Sequence, residues 1–446
     1  MFILFRVFFN ARFYYPVFTV LFLDFGLTLE QFALLNVAWA VTIVLLEVPS
    51  GALADTLGRR NLLVVAGILM VMEMALLCFV PRGNANILFG VFLLNRILSG
   101  AAEAAASGAD EALAYDSLQK EGCENQWGRV LEKQMRMQAA AYLIAMSLGA
   151  AVYDPVLMQV IVDWLGFEFT VSREVTLRLP VVLTFGMAVL TLLTALLMRE
   201  IRPTYSGGPA NLLIGSGRSV IQAFKLTLKA GSWILKTPFA LGIILIGVVF
   251  DGCLRMAVTL TSQYYRFIHL PEASFGLIGS AIALVGLFIP RMAQILAEKR
   301  SPQFNLMVMT VPALIGLAGM ALFLPALMGV VPIVLISGAM SLLRFFQSDY
   351  LNRITRSDQR ATVLSFKGLS MNLAYGVVGI FYSFLVSRLR SVAVPTAAGL
   401  APEKLEERVF MAAMGVFPWV FAAALVVVLA YVVRTFRRSG AAKRPY

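Results

Sequence analysis

The sequence predicts an all-α integral membrane protein with twelve transmembrane helices in two pseudo-symmetric six-helix bundles. Three observations lead to this fold class: the composition, the number of long apolar runs, and an internal repeat. Of the 446 residues, 59% are hydrophobic and only 14% are charged. Soluble domains carry about 25% charged residues. The chain is therefore expected in a lipid bilayer.

Twelve apolar runs are long enough to cross a hydrocarbon core, which is about 30 Å thick and takes about 20 helical residues. The first six runs cover residues 5–26, 31–50, 61–80, 87–113, 131–152 and 179–198. The second six cover residues 238–265, 273–297, 304–325, 329–351, 363–388 and 409–433. The sequence predicts one membrane-spanning helix for each run.

Lysine and arginine residues cluster in the loops on one predicted side of the membrane. Cytoplasmic loops carry such an excess, so both termini are expected in the cytoplasm and the protein in the cell (inner or plasma) membrane. The formal net charge of +12 does not indicate nucleic-acid binding, because the basic residues are spread over these short loops. Because few residues precede the first run, an earlier natural start stays open.

Two segments of the sequence repeat one another. The segment GLTLEQFALL at 26–35 parallels HLPEASFGLI at 269–278, with an offset of 243 residues. Further on, Asp116 pairs with Asp349 at an offset of 233. Such a duplication predicts two related bundles around a site near the membrane midplane. The expected domains are 1–200 and 238–435, joined by a linker with a surface helix at 201–237 and followed by a basic tail at 436–446.

The stretch GALADTLGRR, residues 51–60, lies between the second and third runs. A short cytoplasmic turn with two arginines would explain Arg59 and Arg60 alone. Together with Gly51, Asp55 and Gly58, however, they resemble the signature loop of the major facilitator superfamily. That resemblance implies a fold of twelve helices and a role for this loop as a conformational latch. The implied latch residues are Gly51, Asp55, Gly58, Arg59, Arg60 and Asp116.

The same resemblance implies particular contacts and a coupling residue. Asp116 is expected to pair with Arg59, with simple solvation at a helix end as the alternative. Separately, the start of the eleventh helix is expected to approach Asp55, because a helix amino terminus favours an anion. The fragment from Arg96 to Gly100 resembles a second signature of the family, in which the arginine is associated with proton coupling. The fifth run lacks the Gly-Pro-rich signature of multidrug antiporters, which argues against that subtype.

Charged residues inside the runs are expected to be paired or functional, because each costs about 2.5–3.5 kcal/mol on insertion scales. Arg96, Glu103 and Asp110 recur every seven residues, which predicts one shared helix face. Asp251 and Arg255 have the spacing of an intrahelical pair, which could simply neutralise both. Snorkelling of Arg12 and a structural ion pair for Arg96 are the alternatives to functional roles.

From these patterns we expect two sets of site residues. The candidates for proton coupling are Arg96, Glu103, Asp110 and Asp251. The candidates for the substrate cavity are Asn10, Arg12, Tyr15, Arg96, Asp251, Arg255, Gln263 and Tyr264. Glu73, in the third run, has no assigned role.

The predicted function is secondary active transport by alternating access, with proton-coupled export of a small organic solute. An excess of mid-depth arginines hints at an anionic or zwitterionic solute. A proton-coupled importer and a non-transporting receptor or scaffold are the alternatives. No cofactor, metal site or enzymatic activity is expected, since no ATP-binding loop, histidine cluster or nucleophile–base pair occurs. The expected partners are the solute, protons or another coupling ion, and the bilayer; the protein is expected to act as a monomer.

Overall fold

A computed structural model describes residues 1–81, 84–199, 221, 225, 228–229, 231–286, 288–355, 360–396 and 401–438. Nearly all of these residues are helical. Within the described part of the chain, eleven helices are long and apolar enough to cross a membrane. They correspond to the second through twelfth predicted runs, and the all-helical prediction is confirmed.

Nine α-helices are described in the amino-terminal half. They are α1 (Phe2–Asn10), α2 (Phe18–Phe25), α3 (Leu29–Leu57), α4 (Arg59–Phe79), α5 (Ala85–Ala106), α6 (Ala109–Lys120), α7 (Trp127–Tyr153), α8 (Pro155–Trp164) and α9 (Arg173–Leu197). Eight α-helices are described after the linker. They are α10 (Pro238–Thr259), α11 (Thr261–Phe267), α12 (Glu272–Gly286), α13 (Ile289–Lys299), α14 (Pro302–Ala321), α15 (Val330–Ile354), α16 (Arg360–Thr396) and α17 (Pro402–Arg438).

The first predicted span is interrupted, since α1 ends at Asn10 and α2 begins at Phe18. Pro16 lies in the short 3₁₀ turn between them and cannot donate a backbone hydrogen bond. Neighbouring helices stabilise the break. The Phe13 amide donates to Thr184 Oγ1 of α9 at 3.0 Å. On α7, a Cβ at Gly149 would lie 1.8 Å from the Phe13 carbonyl oxygen, so only glycine permits this approach.

The seventh predicted span is also divided, at Leu260 between α10 and α11. Leu260 is related by the repeat offset of 243 to Val17, at the end of the first break. The repeat thus extends from the sequence to the helix interruptions. Discontinuous helices of this kind recur near the substrate sites of secondary transporters.

The chain forms two compact units. Unit 1 comprises Met1–Leu27, Ala38–Lys225 and Pro271–Ser280, and unit 2 comprises Thr28–Val37, Leu226–Leu270 and Ala281–Tyr446. Each unit therefore includes a short segment from the other half of the sequence. Most of the predicted linker, 201–237, lies outside the described residues, although those described from 231 to 236 are helical. The end of the predicted tail, 439–446, also lies outside them.

Candidate functional site

The predicted latch is less a loop than a pair of abutting helices. Because α3 continues to Leu57 and α4 begins at Arg59, only Gly58 separates them. Gly58 has φ +94°, a left-handed conformation that glycine adopts without strain. The prediction that residues 51–60 form a loop is therefore wrong. Gly51 is helical, and no described heavy atom lies within 4 Å of a Cβ built there, so none of the described residues packs closely against it.

The two arginines of the latch hold α4 against two other helices of unit 1. Arg59 Nη1 forms an ion pair with Asp116 Oδ2 on α6, so the expected contact is confirmed. Arg60 donates from Nε to the Met198 carbonyl at 2.7 Å and from Nη2 to the Leu196 carbonyl at 2.8 Å. A cation is favourable there because these carbonyls end α9. The side chain of Asp55, and with it the expected approach of the eleventh helix, lies outside the described part of the structure.

Arg12, expected to face a cavity, is instead buried in an ion pair. Its Nη1 contacts Oε1 of Glu73 on α4, and the two side chains are 3% and 0% exposed. The Tyr14 hydroxyl lies 3.4 Å from Arg12 Nη1. Asn95 of α5 donates to the Glu73 carbonyl at 2.8 Å. The break after α1 thus places Arg12 against α4, which explains Glu73 and excludes Arg12 as a cavity group in this conformation.

The other two candidates near the first break differ from each other. The Asn10 side chain donates to the Arg6 carbonyl at 2.7 Å, so it is engaged within its own helix. Tyr15 is 45% exposed and stays available as a cavity group.

The three charges of the fourth span do not lie on one continuous helix, so only Arg96 and Glu103 keep the shared face predicted from their spacing. The helix breaks between Ala106 and Ala109, where Gly108 has φ +75°. Beyond the break, Asp110 is buried and pairs with Arg6 Nε at 3.0 Å. The Arg96 guanidinium is buried over the rings of Phe18 and Trp39, at 5.3 and 5.4 Å. Glu103 is exposed and forms no ion pair with any described residue.

In unit 2 the predicted pair of Asp251 and Arg255 is confirmed. Asp251 is buried, and Arg255 also donates to Asn372 Oδ1 on α16 at 2.9 Å. The Arg255 guanidinium lies 5.2 Å from the Tyr375 ring centre. The arginine therefore links α10 to α16 while its charge is neutralised on its own helix.

Gln263 and Tyr264 do not line an open path, contrary to expectation. Tyr264 is fully buried and donates to the Gly329 carbonyl at 3.0 Å. Gln263 is 6% exposed, and its Oε1 accepts no hydrogen bond from the described residues. Because the helix is interrupted at Leu260, residues of α11 do not continue the helical register of α10.

Two cations that sequence reasoning missed lie within spanning helices of unit 2. Arg344 on α15 is exposed, and Lys367 on α16 is half-buried. Neither forms an ion pair with a described residue, although the charges of Asp251 and Arg344 both act on Lys367. Both lie inside predicted runs. The expectation that a charge inside a run is paired or functional, which singled out Arg255, therefore applies to them as well.

Two ionic clusters at the opposite ends of the helices were also missed. In unit 1, Arg173 pairs with Asp24 and with Glu272, the latter at 2.5 Å. In unit 2, Arg390 pairs with Glu30 at 3.2 Å and with Glu406 at 2.6 Å. Each cluster joins residues from both halves of the sequence. The sequence signal was weak, because these residues lie at the ends of runs, where charge is unremarkable.

No group of three or more histidine, cysteine, aspartate or glutamate residues among those described could hold a metal ion.

The sequence model of the Major Facilitator Superfamily matches residues 1–379. No curated protein matches the chain. Among solved structures, a bacterial homolog of the human lysosomal transporter Spinster, in an inward-facing and unoccupied conformation, is 16% identical with a TM-score of 0.72, covering 98% of this chain and 96% of that chain. The nucleoside transporter NupG is 13% identical with a TM-score of 0.69, covering 96% and 98%. A D-xylose-proton symporter is 13% identical with a TM-score of 0.62, covering 96% and 94%.

Proposed function

Because the chain belongs to the major facilitator superfamily, we propose that it is a proton-coupled exporter of a small anionic or zwitterionic organic solute that works by alternating access. Three charges within spanning helices carry this proposal, because each has no ion-pair partner among the described residues: Glu103 in unit 1, and Arg344 and Lys367 in unit 2.

The cations support an anionic group on the solute. A charge at membrane depth is tolerated when it lines a water-filled cavity or meets a counter-charge. Arg344 and Lys367 act on one another across α15 and α16, and Asp251 is neutralised by Arg255. The neighbourhood therefore has an excess of positive charge that a carboxylate or phosphate would offset.

Glu103 is the strongest candidate for proton coupling. It is a carboxylate in the interior of α5, exposed and without a cationic partner in the described structure, so proton binding meets no competing ion pair. Asp110 is less suited, because Arg6 already holds it. Asp251 is the second candidate, since protonation there would release Arg255 toward a solute.

Ion pairs at both ends of the helices support a conformational cycle. Arg59 with Asp116 would act on the cytoplasmic side, and the Arg173 and Arg390 clusters on the opposite side. Pairs that form in one state and break in another supply the differential contacts that a two-state switch requires. The basic loops support cytoplasmic termini in the cell membrane. The protein is proposed to act as a monomer.

The test begins by finding a ligand and then measures flux. Thermal unfolding of the purified protein is screened against amino acids, organic acids, nucleosides and cationic drugs, because specific binding stabilises by mass action. An anionic or zwitterionic ligand that stabilises the wild type should no longer stabilise the Arg344→Gln and Lys367→Gln variants. The matched control, Arg136→Gln, removes an exposed cation of an intrahelical pair and should bind normally. Stabilisation by cations alone would contradict the proposed solute class.

Uptake of the hit into proteoliposomes then separates the mechanisms. An exporter that exchanges solute for protons accumulates solute when the interior is acidic, and a symporter does so when the interior is alkaline. Glu103→Gln should abolish the dependence of solute uptake on the proton gradient. Glu132→Gln, which changes an exposed residue on α7, should leave that dependence intact. Accumulation only with an alkaline interior favours the importer. Binding without flux under either gradient favours the receptor.

A further inference from the structure

We propose that a cavity in unit 2, lined by α10, α14, α15 and α17, binds an acyl chain of an anionic phospholipid. The cavity has a volume of about 500 Å³ and a mainly apolar wall. That volume lies within the range of about 300–1,000 Å³ typical of ligand pockets. None of the groups proposed for transport lines it. Its wall includes Ile243, Ile246, Leu306, Met309, Phe346 and Val432.

The cavity lies toward the predicted cytoplasmic ends of its four helices. Phe239 and Pro302, which line it, are in the first turns of α10 and α14. Tyr350 and Val433 line it near the ends of α15 and α17. An acyl chain in this cavity therefore has its headgroup at the level of the loops that carry the basic residues.

The chain places cations beside these lining residues. Lys236 precedes Phe239, Arg300 precedes Pro302, and Arg434 follows Val433. All three side chains are exposed, and none forms an ion pair with a described residue. Each lysine or arginine near a membrane surface attracts anionic lipid with about 1 kcal/mol, and basic pockets on the cytoplasmic side bind anionic headgroups. The charge around the cavity thus selects an anionic lipid over a zwitterionic one.

A polar group in the wall is also left unsatisfied. Asn305 is fully buried and donates to the Leu296 carbonyl at 3.1 Å and to the Tyr350 hydroxyl at 2.6 Å. Its Oδ1 accepts no hydrogen bond in the described structure. Asn305 lies one turn into α14, near the expected depth of the lipid glycerol, where a headgroup hydroxyl could donate to it. This is a second feature of the cavity that fits a lipid with a polar headgroup.

The test adds phosphatidylglycerol or phosphatidylcholine to the purified full-length protein and measures bound lipid by native mass spectrometry and thermal unfolding. Wild type should retain phosphatidylglycerol preferentially and be stabilised by it. Removing one of the three cations, as in Arg300→Gln, should weaken this binding about fivefold, the factor that corresponds to the loss of one surface cation. Arg129→Gln, which removes a basic residue from α7 in unit 1, should leave it unchanged.

The cavity itself is tested by Ile246→Trp, which fills it, beside Ile246→Val, which does not. The filled variant should lose phosphatidylglycerol binding while the valine variant keeps it. Unfolding in phosphatidylcholine alone shows whether the filled variant is folded; if it is not, Met309→Phe takes its place. Equal retention of both lipids by wild type, or undiminished phosphatidylglycerol binding by a folded filled variant, overturns the proposal.

Discussion

The two units hold their charges in different ways. Apart from the exposed Arg136–Glu132 pair on α7, the ion pairs described in unit 1 join different helices, as in Arg12 with Glu73 and Arg59 with Asp116. Apart from the Arg390 cluster, the ion pairs described in unit 2 lie within one helix: Arg255 with Asp251, and Arg353 with Asp349. A pair between helices restrains how those helices pack, whereas an i,i+4 pair neutralises charge and leaves packing to other contacts. We infer that the ion pairs of unit 1 fix its internal packing more firmly than those of unit 2 do.

One pair of repeat-related residues shows how this difference arises. Asp116 and Asp349 correspond in the repeat, but Arg59 corresponds to Pro302 at the offset of 243. Asp349 therefore lacks the counterpart of Arg59 and pairs with Arg353 on its own helix, with Nε to Oδ1 at 3.0 Å. Asn305 takes over part of the tethering, since it joins α14 to the end of α13 and to α15. The second copy of the latch keeps the acid but not the ion pair between helices.

The largest loss of unfolding free energy is expected at the buried Arg12–Glu73 pair of unit 1. Glu73→Gln leaves the Arg12 guanidinium buried without its counter-charge, and breaking a buried pair in this way costs about 3–5 kcal/mol of unfolding free energy. Asp251→Asn, the matched change in unit 2, should cost clearly less, because Arg255 is partly exposed and keeps Asn372. Denaturant unfolding in detergent micelles measures both.

The double variant Arg12→Leu with Glu73→Leu is the control for that experiment. Removing both charges should recover most of the loss, because no unpaired charge stays buried. A loss in Glu73→Gln no larger than in Asp251→Asn would remove the proposed difference between the units.

An intermediate effect is expected at the latch and its repeat. Arg59→Gln removes a half-exposed pair between helices, worth about 1 kcal/mol at most. If the pair is present in only one conformation, a change of this size shifts the conformational ratio about fivefold. Arg353→Gln removes the repeat-related intrahelical pair and should shift that ratio little. Spin-label distances between the cytoplasmic ends of α3 and α16 report the ratio, and equal shifts in the two variants would contradict the latch role.

The smallest effect is expected from salt. Exposed charges are screened over about 3 Å at 1 M ionic strength, whereas buried pairs are screened much less. The stability difference between wild type and Arg59→Gln should therefore narrow from low salt to 1 M NaCl. The stability difference between wild type and Glu73→Gln should persist at 1 M NaCl. Its disappearance would show that the Arg12–Glu73 pair is accessible to solvent.

The helices were predictable because apolar length is a local property of the sequence. Some contacts were predictable as well. The Asp251–Arg255 pair follows from helical spacing, and Arg59–Asp116 from the resemblance of residues 51–60 to a family signature. The Arg12–Glu73 pair was not predictable, because it joins residues 61 positions apart and depends on the break after Asn10. The same limit applies to Tyr264, whose hydrogen bond to the Gly329 carbonyl joins residues 65 positions apart.

The interrupted first span has a consequence for biogenesis. Backbone groups freed within the bilayer need partners, because lipid offers none. At the break the Phe13 amide finds its partner on Thr184, and Gly149 accommodates the Phe13 carbonyl. Both partners are translated more than a hundred residues later. The amino-terminal segment therefore reaches its final structure only after α9 has been synthesised, which makes completion of unit 1 a late step in membrane insertion.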